Sequence, residues 1–537
     1  MKSKLPILLV CSSLLLSSCA FLSLLKNTSE KSNDSDVTSQ SHSNSTSFDE
    51  SSTDDNSYKT FEIYAINDFH GAVEEGTIND YQVTGLGKLM TYLKDKSDHT
   101  NTLLLDQGDT WQGSIYSNSN EGKMITDVMN YVKFDARTVG NHDFDWGLNP
   151  LIYNKTLSYD GYSTPVLAGN VYDYDFSTKT VGTNHRDDIG VSSVTYTLEN
   201  GLKVGILGCI GSSQITSITS LYTRDICFTD HISFIKEEAT KLRNEGCDIV
   251  IGSIHGGSDE VMRNGLSGYV DLMLCGHTHR LESKKEGNLQ YLQFGCNGEY
   301  VGQIKIGYNS VFKTIDSVIS KTIYAEDIIS ETPKVDTTIQ NIITTYKTQC
   351  EAKENPNEII ANNVNGAFTS SMALPNLMTR AIYDKAVSEG YNVDVAYVNK
   401  ARATIDKASW TYADLFTSFP FENTIHIMDI TGTEFLNEVA RYNYIYRSPS
   451  FTNDVIDPND TYRIACIDYL CYHTDEERNY DYFPISGGES VGQLSDNYRI
   501  ILKDWLKDNG YSNGVELNYY DYLSSNWSHD GSAFISA

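Results

Sequence analysis

Gly140-Asn141-His142-Asp143-Phe144-Asp145 follows a short strand-like run, Ala136-Arg137-Thr138-Val139, and opens a loop. An amide, an imidazole and carboxylates crowded at a strand end are ligand types for divalent metals, with a histidine left for catalysis. Four other stretches share that setting. Asn67-Asp68-Phe69-His70-Gly71 follows Phe61-Glu62-Ile63-Tyr64-Ala65-Ile66, and Gln107-Gly108-Asp109 comes just after Thr102-Leu103-Leu104-Leu105. Ile254-His255-Gly256-Gly257 follows Ile249-Val250-Ile251-Gly252-Ser253, and Gly276-His277-Thr278-His279 comes after Val270-Asp271-Leu272-Met273-Leu274. Helical-looking segments, such as 122–131 and 234–245, lie between these runs. The alternation predicts mainly parallel sheets with helices outside. In such sheets the carboxyl ends of the strands carry the site, so the five clusters are expected on one edge.

A lone Asp-x-His is more often a turn or a helix cap than a metal site. Gly-Asn-His-Asp together with Gly-His-Thr-His is far more specific, and five of the twelve histidines fall in the five stretches. In this order the blocks resemble the calcineurin-like dimetal phosphoesterases, in particular the secreted 5'-nucleotidase branch. The resemblance implies a mixed α/β fold: an N-terminal four-layer metallophosphoesterase sandwich and a second, smaller α/β substrate-binding domain. It implies two divalent metal ions, with Zn, Mn, Fe and Co all compatible with mixed N/O ligands. Asp68, His70 and His279 are then expected on the first metal, Asn141, His255 and His277 on the second, and Asp109 between them. His142 is not an expected ligand; its implied task is to contact a phosphate oxygen and stabilise the transition state. Asp145 is expected to orient its imidazole. Most relatives carry Glu where this chain has Asp143. Gly113 and Ser114 also fit the family and are expected to shape the loop after Asp109.

The chain has 537 residues, enough for two large domains, or three on length alone, with 40% hydrophobic and 21% charged residues. Its formal net charge of -30 argues against a nucleic acid polymer as partner, since phosphate neutralisation needs clustered Lys and Arg. It does not argue against a small phosphate substrate, because bound cations invert the local charge logic of a site. The 36 tyrosines fit strand-rich surface and carry no functional information by themselves.

Lys2 and Lys4 precede an apolar run, residues 5–16, too short to span a bilayer permanently and typical of an export signal. It ends in Leu16-Ser17-Ser18-Cys19, which resembles a bacterial lipobox and implies lipidation of Cys19 in the mature protein. Residues 26–57 are rich in Ser, Asn, Thr and Asp and are expected to be a disordered tether with a reach of roughly 30 Å. The expected domains are thus 1–19 signal and lipobox, 20–57 tether, 58–325 catalytic domain, 326–354 connecting helix and 355–537 substrate-binding domain. The expected location is the cell surface, held to the membrane through the lipid anchor only; no protein partner is expected. Ten cysteines occur. Export permits disulfides, Cys466 with Cys471 and Cys209 with Cys227 being candidates, but buried free thiols are the default.

A break at Thr332-Pro333-Lys334 and a helical stretch over 337–353 mark the join. Beyond it the resemblance to the family's C-terminal domain rests on fewer residues. Asn399-Lys400-Ala401-Arg402 stands where relatives have a Gly-rich turn ending in Arg; Arg402 matches and the glycines do not. Arg402 is expected to meet phosphate. Phe421, in Pro420-Phe421-Glu422-Asn423, is expected to form one face of a base clamp and Asn423 to hydrogen-bond the base. Tyr469 is the expected second face, with Tyr482 and Phe483 as alternatives. The family's Gly-Gly-Asp-Gly-Tyr turn is replaced here by Thr474-Asp475-Glu476-Glu477-Arg478. The implied reaction is hydrolysis of a 5'-nucleotide to nucleoside and phosphate. The metal ligands do not report which ester is cut, so 2',3'-cyclic nucleotides and nucleotide sugars stay open. A surface binding protein or adhesin on the same fold is the reading from another class.

Overall fold

The computed structural model describes residues 57–441, 444–472, 489–523 and 535–537. Cys19, Tyr482, Phe483, the stretch 474–478 and the tether up to residue 56 lie outside the described residues.

Two six-stranded sheets form the first domain. In one, Tyr58–Ile66, Thr102–Asp106, Ala136–Thr138 and Val166–Leu167 run parallel, extended on one edge by the antiparallel strands Tyr300–Asn309 and Thr314–Tyr324. In the other, Lys203–Ile210, Ile249–His255, Leu272–Cys275 and Leu289–Phe294 run parallel, with antiparallel strands Ser193–Thr197 and Leu281–Glu286 at the edges. The period-2 alternation of the strands decides the layering. Phe61, Ile63 and Ala65 of one sheet share an apolar cluster with Ile249, Ile251, Leu272 and Leu274 of the other. The alternate residues Tyr64 and Ile66 face Leu86, Leu89, Met90 and Leu93 of the helix Gly85–Lys96. Val250 and Met273 face Ile235, Ala239 and Leu242 of the helix His231–Asn244. The order is helix, sheet, sheet, helix, the expected four-layer sandwich.

The second domain is built on a five-stranded mixed sheet, with strand order Ile445–Arg447, Val395–Tyr397, Thr461–Ile467, Thr424–Thr431 and Glu489–Asn497. Helices Ala373–Ser388 and Tyr498–Asp508 pack on it and join its apolar cluster. The join is two helices, Ala325–Glu331 and Thr337–Glu354, broken around Pro333. The longer one begins on an Asp336 cap, whose carboxylate accepts from Thr338 N (2.8 Å) and Ile339 N (3.2 Å). Tyr346 Oη donates to Asp127 (2.7 Å) and Asp336 N donates to Thr91 Oγ1 (2.9 Å), so this helix is fastened to the first domain. It stops at Asn355, whose φ of +47° is left-handed.

The candidate disulfides are not formed. The eight cysteines from Cys209 to Cys471 are all buried, and none is in a disulfide. Cys209 packs in the apolar layer beneath the helix His231–Asn244, and Cys471 Sγ points at the carbonyl of Cys466 rather than at its sulfur. No helix among the described residues is long and apolar enough to cross a membrane.

Candidate metal centre and active site

The strand ends bring the predicted residues together. His255 is the last residue of its strand, paired with Ile210, and Asp68, Asp109, Asn141 and His277 sit in the loops directly beyond the neighbouring strand ends. Five of the seven candidate ligands adopt left-handed backbone: Asp68 (φ +49°), His70 (+49°), Asp109 (+53°), His277 (+72°) and His279 (+57°). Such conformations cost about 1–3 kcal/mol each in non-glycine residues and persist only where the surroundings over-determine them. Gly140 permits a close approach: a Cβ there would lie 2.2 Å from Asp109 Oδ1.

The ligand atoms fall into two groups, Asp68–His70–His279 and Asp109–His255–His277, each within 4.8 Å. Asp109 Oδ2 lies 3.2 Å from His255 Nε2 and 3.8 Å from His70 Nε2, so this carboxylate touches both groups. Asn141 Oδ1 lies 3.0 Å from His255 Nε2 and 3.0 Å from His277 Nδ1. Backbone carbonyls hold two imidazoles by their far nitrogens: His70 Nδ1 on Gln112 O (3.1 Å) and His255 Nδ1 on Gln107 O (2.8 Å). These contacts direct the Nε2 lone pairs inward, toward carboxylates and each other; His70 and His279 Nε2 are 2.9 Å apart. Lone pairs and anions gathered out of water suit divalent cations, and the nitrogen and oxygen donor set fits them.

The electrostatics agree. Burial pushes His277 down to about 4 and His279 down to about 3, so both stay neutral, as ligands must. Burial also disfavours charge on His255, yet the Asp109 carboxylate beside it raises it to about 10. The carboxylates here draw positive charge, which bound cations would supply in place of a proton.

His142 stands beside the ligands. Its N–H donates to Asp109 Oδ1 (2.8 Å), and its Nδ1 donates to Asp145 Oδ2 (2.9 Å). Burial disfavours charge on this imidazole, and the Asp145 carboxylate outweighs burial and raises its pKa. Nε2 faces the second domain, where Arg402 Nη2 donates to it at 2.8 Å. Phe421 stacks on the His142 ring, centroids 5.2 Å apart and planes 28° apart, with the Arg402 guanidinium 5.3 Å from the Phe421 centroid. Arg402 thus reaches the site although the expected glycines before it are absent; Arg402 N is tied to Ser418 O (2.8 Å) instead. Asn423 is half-buried, and its carbonyl accepts from Tyr498 N. Tyr469 is half-buried in the short helix Asp468–Cys471 and packs on the domain's apolar cluster.

Several supports went unread in the sequence. Asp143 accepts from Gly140 N (2.8 Å) and is ion-paired with Arg137, which is 3% exposed. Arg137 Nε donates to Thr110 Oγ1 (3.0 Å), and its guanidinium lies 3.8 Å over Trp111. It thereby ties the loop of Asp109 to the loop of Asn141. An arginine inside the strand-like Ala136-Arg137-Thr138-Val139 was the available signal, because a buried strand charge needs a partner.

Comparison with known proteins agrees with the geometry. Residues 61–281 match the calcineurin-like phosphoesterase family and residues 342–450 match the 5'-nucleotidase C-terminal domain. Calcineurin-like phosphoesterases bind two divalent metal ions, and the two ligand groups answer to that. The chain is 26% identical over 430 residues to an apyrase of Tabanus yao, covering 71% of this chain and 73% of the apyrase. It is 24% identical over 415 residues to the snake venom 5'-nucleotidase of Naja atra, covering 68% and 75%. The fold is shared with a 5'-nucleotidase precursor from Thermus thermophilus (TM-score 0.65, 18% identity, 84% of this chain and 97% of that one). It is also shared with the sulfate thiohydrolase SoxB of Thermus thermophilus (TM-score 0.59, 14% identity, 85% and 94%), so fold alone does not name the substrate. The chain thus carries a region similar to the calcineurin-like phosphoesterases, with both metal-ligand groups inside it, followed by a region similar to the 5'-nucleotidase C-terminal domain.

Proposed function

We propose that this protein is an exported, lipid-anchored phosphohydrolase that releases phosphate from 5'-nucleotides with two bound metals. The observation that carries the reading is the meeting at His142: a metal-ligand neighbour on one side, Arg402 and Phe421 of the second domain on the other. Two divalent cations, once bound, would supply Lewis acidity and an activated nucleophile at neutral pH. Asp68, His70 and His279 would hold one and Asn141, His255 and His277 the other, with Asp109, whose carboxylate touches both groups, shared. His142, oriented by Asp145, stabilises charge on the phosphoryl oxygens, and Arg402 adds a charge-assisted contact. Phe421 offers a face for the base, with Tyr469 and Asn423 as further contacts. The apyrase and 5'-nucleotidase names of relatives support a nucleotide as substrate. A binding-only role has no use for the paired His142 and Asp145.

The test is phosphate release with added Mn or Zn from AMP, a 2',3'-cyclic nucleotide, a nucleotide sugar and an aryl phosphate. Preference for AMP that disappears in His142→Ala is the expected outcome. Equal turnover of the aryl phosphate removes the base-binding role, and two bound metals with no release from any substrate favours a binding protein. Anchoring is tested separately: Cys19→Ala is expected to move the protein from the membrane fraction to the soluble one, and an unchanged distribution refutes the anchor.

A further inference from the structure

Three consecutive carbonyls of the Phe421 turn are each held by a side chain. Arg499, 1% exposed, donates Nη1 to Phe419 O (2.8 Å) and Phe421 O (2.6 Å) and is ion-paired with Glu422. Its guanidinium lies 3.4 Å over the Phe416 ring, within the second domain. The middle carbonyl is different. Pro420 O accepts from Asn118 Nδ2 at 2.7 Å, and Asn118 belongs to the first domain, at the end of the short helix Ile115–Asn118. Asn118 is 6% exposed and uses both ends of its amide: Oδ1 accepts from Gly113 N at 3.0 Å. Gly113 is wrapped around a candidate ligand. Its φ is +156°, a Cβ there would sit 2.1 Å from His70 O, and the preceding carbonyl, Gln112 O, receives His70 Nδ1. One side-chain amide therefore bridges the loop that holds His70 and the turn that presents Phe421.

We propose that Asn118 is a positioning residue for substrate selection: it sets the Phe421 ring against the metal-binding half of the site. It touches neither the candidate ligands' donor atoms nor the space beside His142, so it acts through Pro420. The inference rests on reading Phe421 as the base-stacking residue. Burial makes the contact matter, because a buried carbonyl left without a donor keeps its full desolvation cost, whereas an exposed one recovers water. Arg499 fixes the shape of the turn and Asn118 fixes its place relative to His142.

The test is steady-state kinetics on the full chain with AMP and p-nitrophenyl phosphate, with metal content and thermal unfolding measured on every variant. Asn118→Asp keeps the acceptor for Gly113 N and turns the donor toward Pro420 into a second acceptor. It is expected to raise KM for AMP about five- to tenfold, with kcat and p-nitrophenyl phosphate turnover within about twofold and two metals retained. Asn118→Ala, which removes both contacts, serves if the aspartate variant does not fold, and the same split is expected. Phe421→Ala is the reference. If it raises KM for AMP while the Asn118 variants do not, the bridge has no bearing on selection and the inference fails, leaving the base-stacking reading intact. If the Asn118 variants lose both substrates in parallel, or lose metal, Asn118 is part of the metal loop alone and the inference fails. If Phe421→Ala itself leaves AMP unchanged, the base-stacking reading falls and takes the inference with it.

Discussion

The two halves of the site are built differently. On the metal side, seven side chains from five strand ends converge, most of them buried, with strained backbone and far nitrogens pinned by carbonyls. On the other side, one arginine and one phenylalanine reach His142 from loops of a second domain, and the Asn118 amide holds the phenylalanine's turn from the first. The first arrangement is over-determined and the second is adjustable. A sheet edge fixes chemistry by geometry, while a docked domain leaves room to alter what is bound without rebuilding the reaction centre.

If that contrast is right, damage to the metal side is global and damage to the other side depends on the substrate. Asp109→Ala removes the carboxylate shared by both ligand groups. It is expected to lower metal content below two per chain and kcat by on the order of 10^4-fold, the scale seen when one member of a concerted unit is lost. Inductively coupled plasma analysis alongside kinetics checks it; two tightly bound metals in this variant would remove Asp109 from its central place. His142→Ala is expected to keep both metals and lose roughly 10^2–10^3-fold in kcat on every substrate, the cost of one transition-state contact. A loss confined to AMP would move His142 to the base side of the comparison.

Phe421→Ala is expected to raise KM for AMP about tenfold, in line with a base–aromatic stack of roughly 1–3 kcal/mol, and to change aryl phosphate turnover much less. Parallel loss on both substrates would show that the two halves are not separable. The smallest effect concerns Asp468, whose carboxylate accepts from Thr424 Oγ1 (3.0 Å) and Tyr469 N (2.8 Å) just behind the second-domain face. Burial pushes it up to about 6, against those hydrogen bonds. A carboxyl raised in the folded state favours folding most at low pH, and that contribution is lost as pH rises from about 4 through 6. Asp468→Asn is therefore expected to flatten the fall in Tm across that window, with little change in metal content. An unchanged Tm profile would place the buried charge elsewhere.

Legibility followed the same divide. Asp68, His70, Asp109, Asn141, His142, His277 and His279 were readable because each sits a few residues past a strand, and His255 because it ends one; a parallel sheet lines those ends up. The four-layer sandwich was readable for a related reason: alternation along the strands assigns their faces. Arg402 and Phe421 were readable as types, but only the packing of the second domain brings them to His142. Asn118 and Arg499 were not readable, and Arg137 was readable only as a strand charge in need of a partner. Their partners are carbonyls, a hydroxyl and carboxylates up to 302 residues away along the chain, and no local pattern encodes such distances. The disulfide candidates failed similarly, since spacing says nothing about which way two sulfurs face.

What the sequence determined by itself is the candidate chemistry: the types of possible ligands, their order, and the His142 imidazole with its aspartate, each set by residues within a few positions of a strand end. What only the tertiary structure decided is where the second domain stands against that edge, and so which side chains meet His142. The physical reason is range. Strand-end geometry is local and repeats, whereas the docking of one domain on another is the sum of buried contacts between segments far apart in the chain.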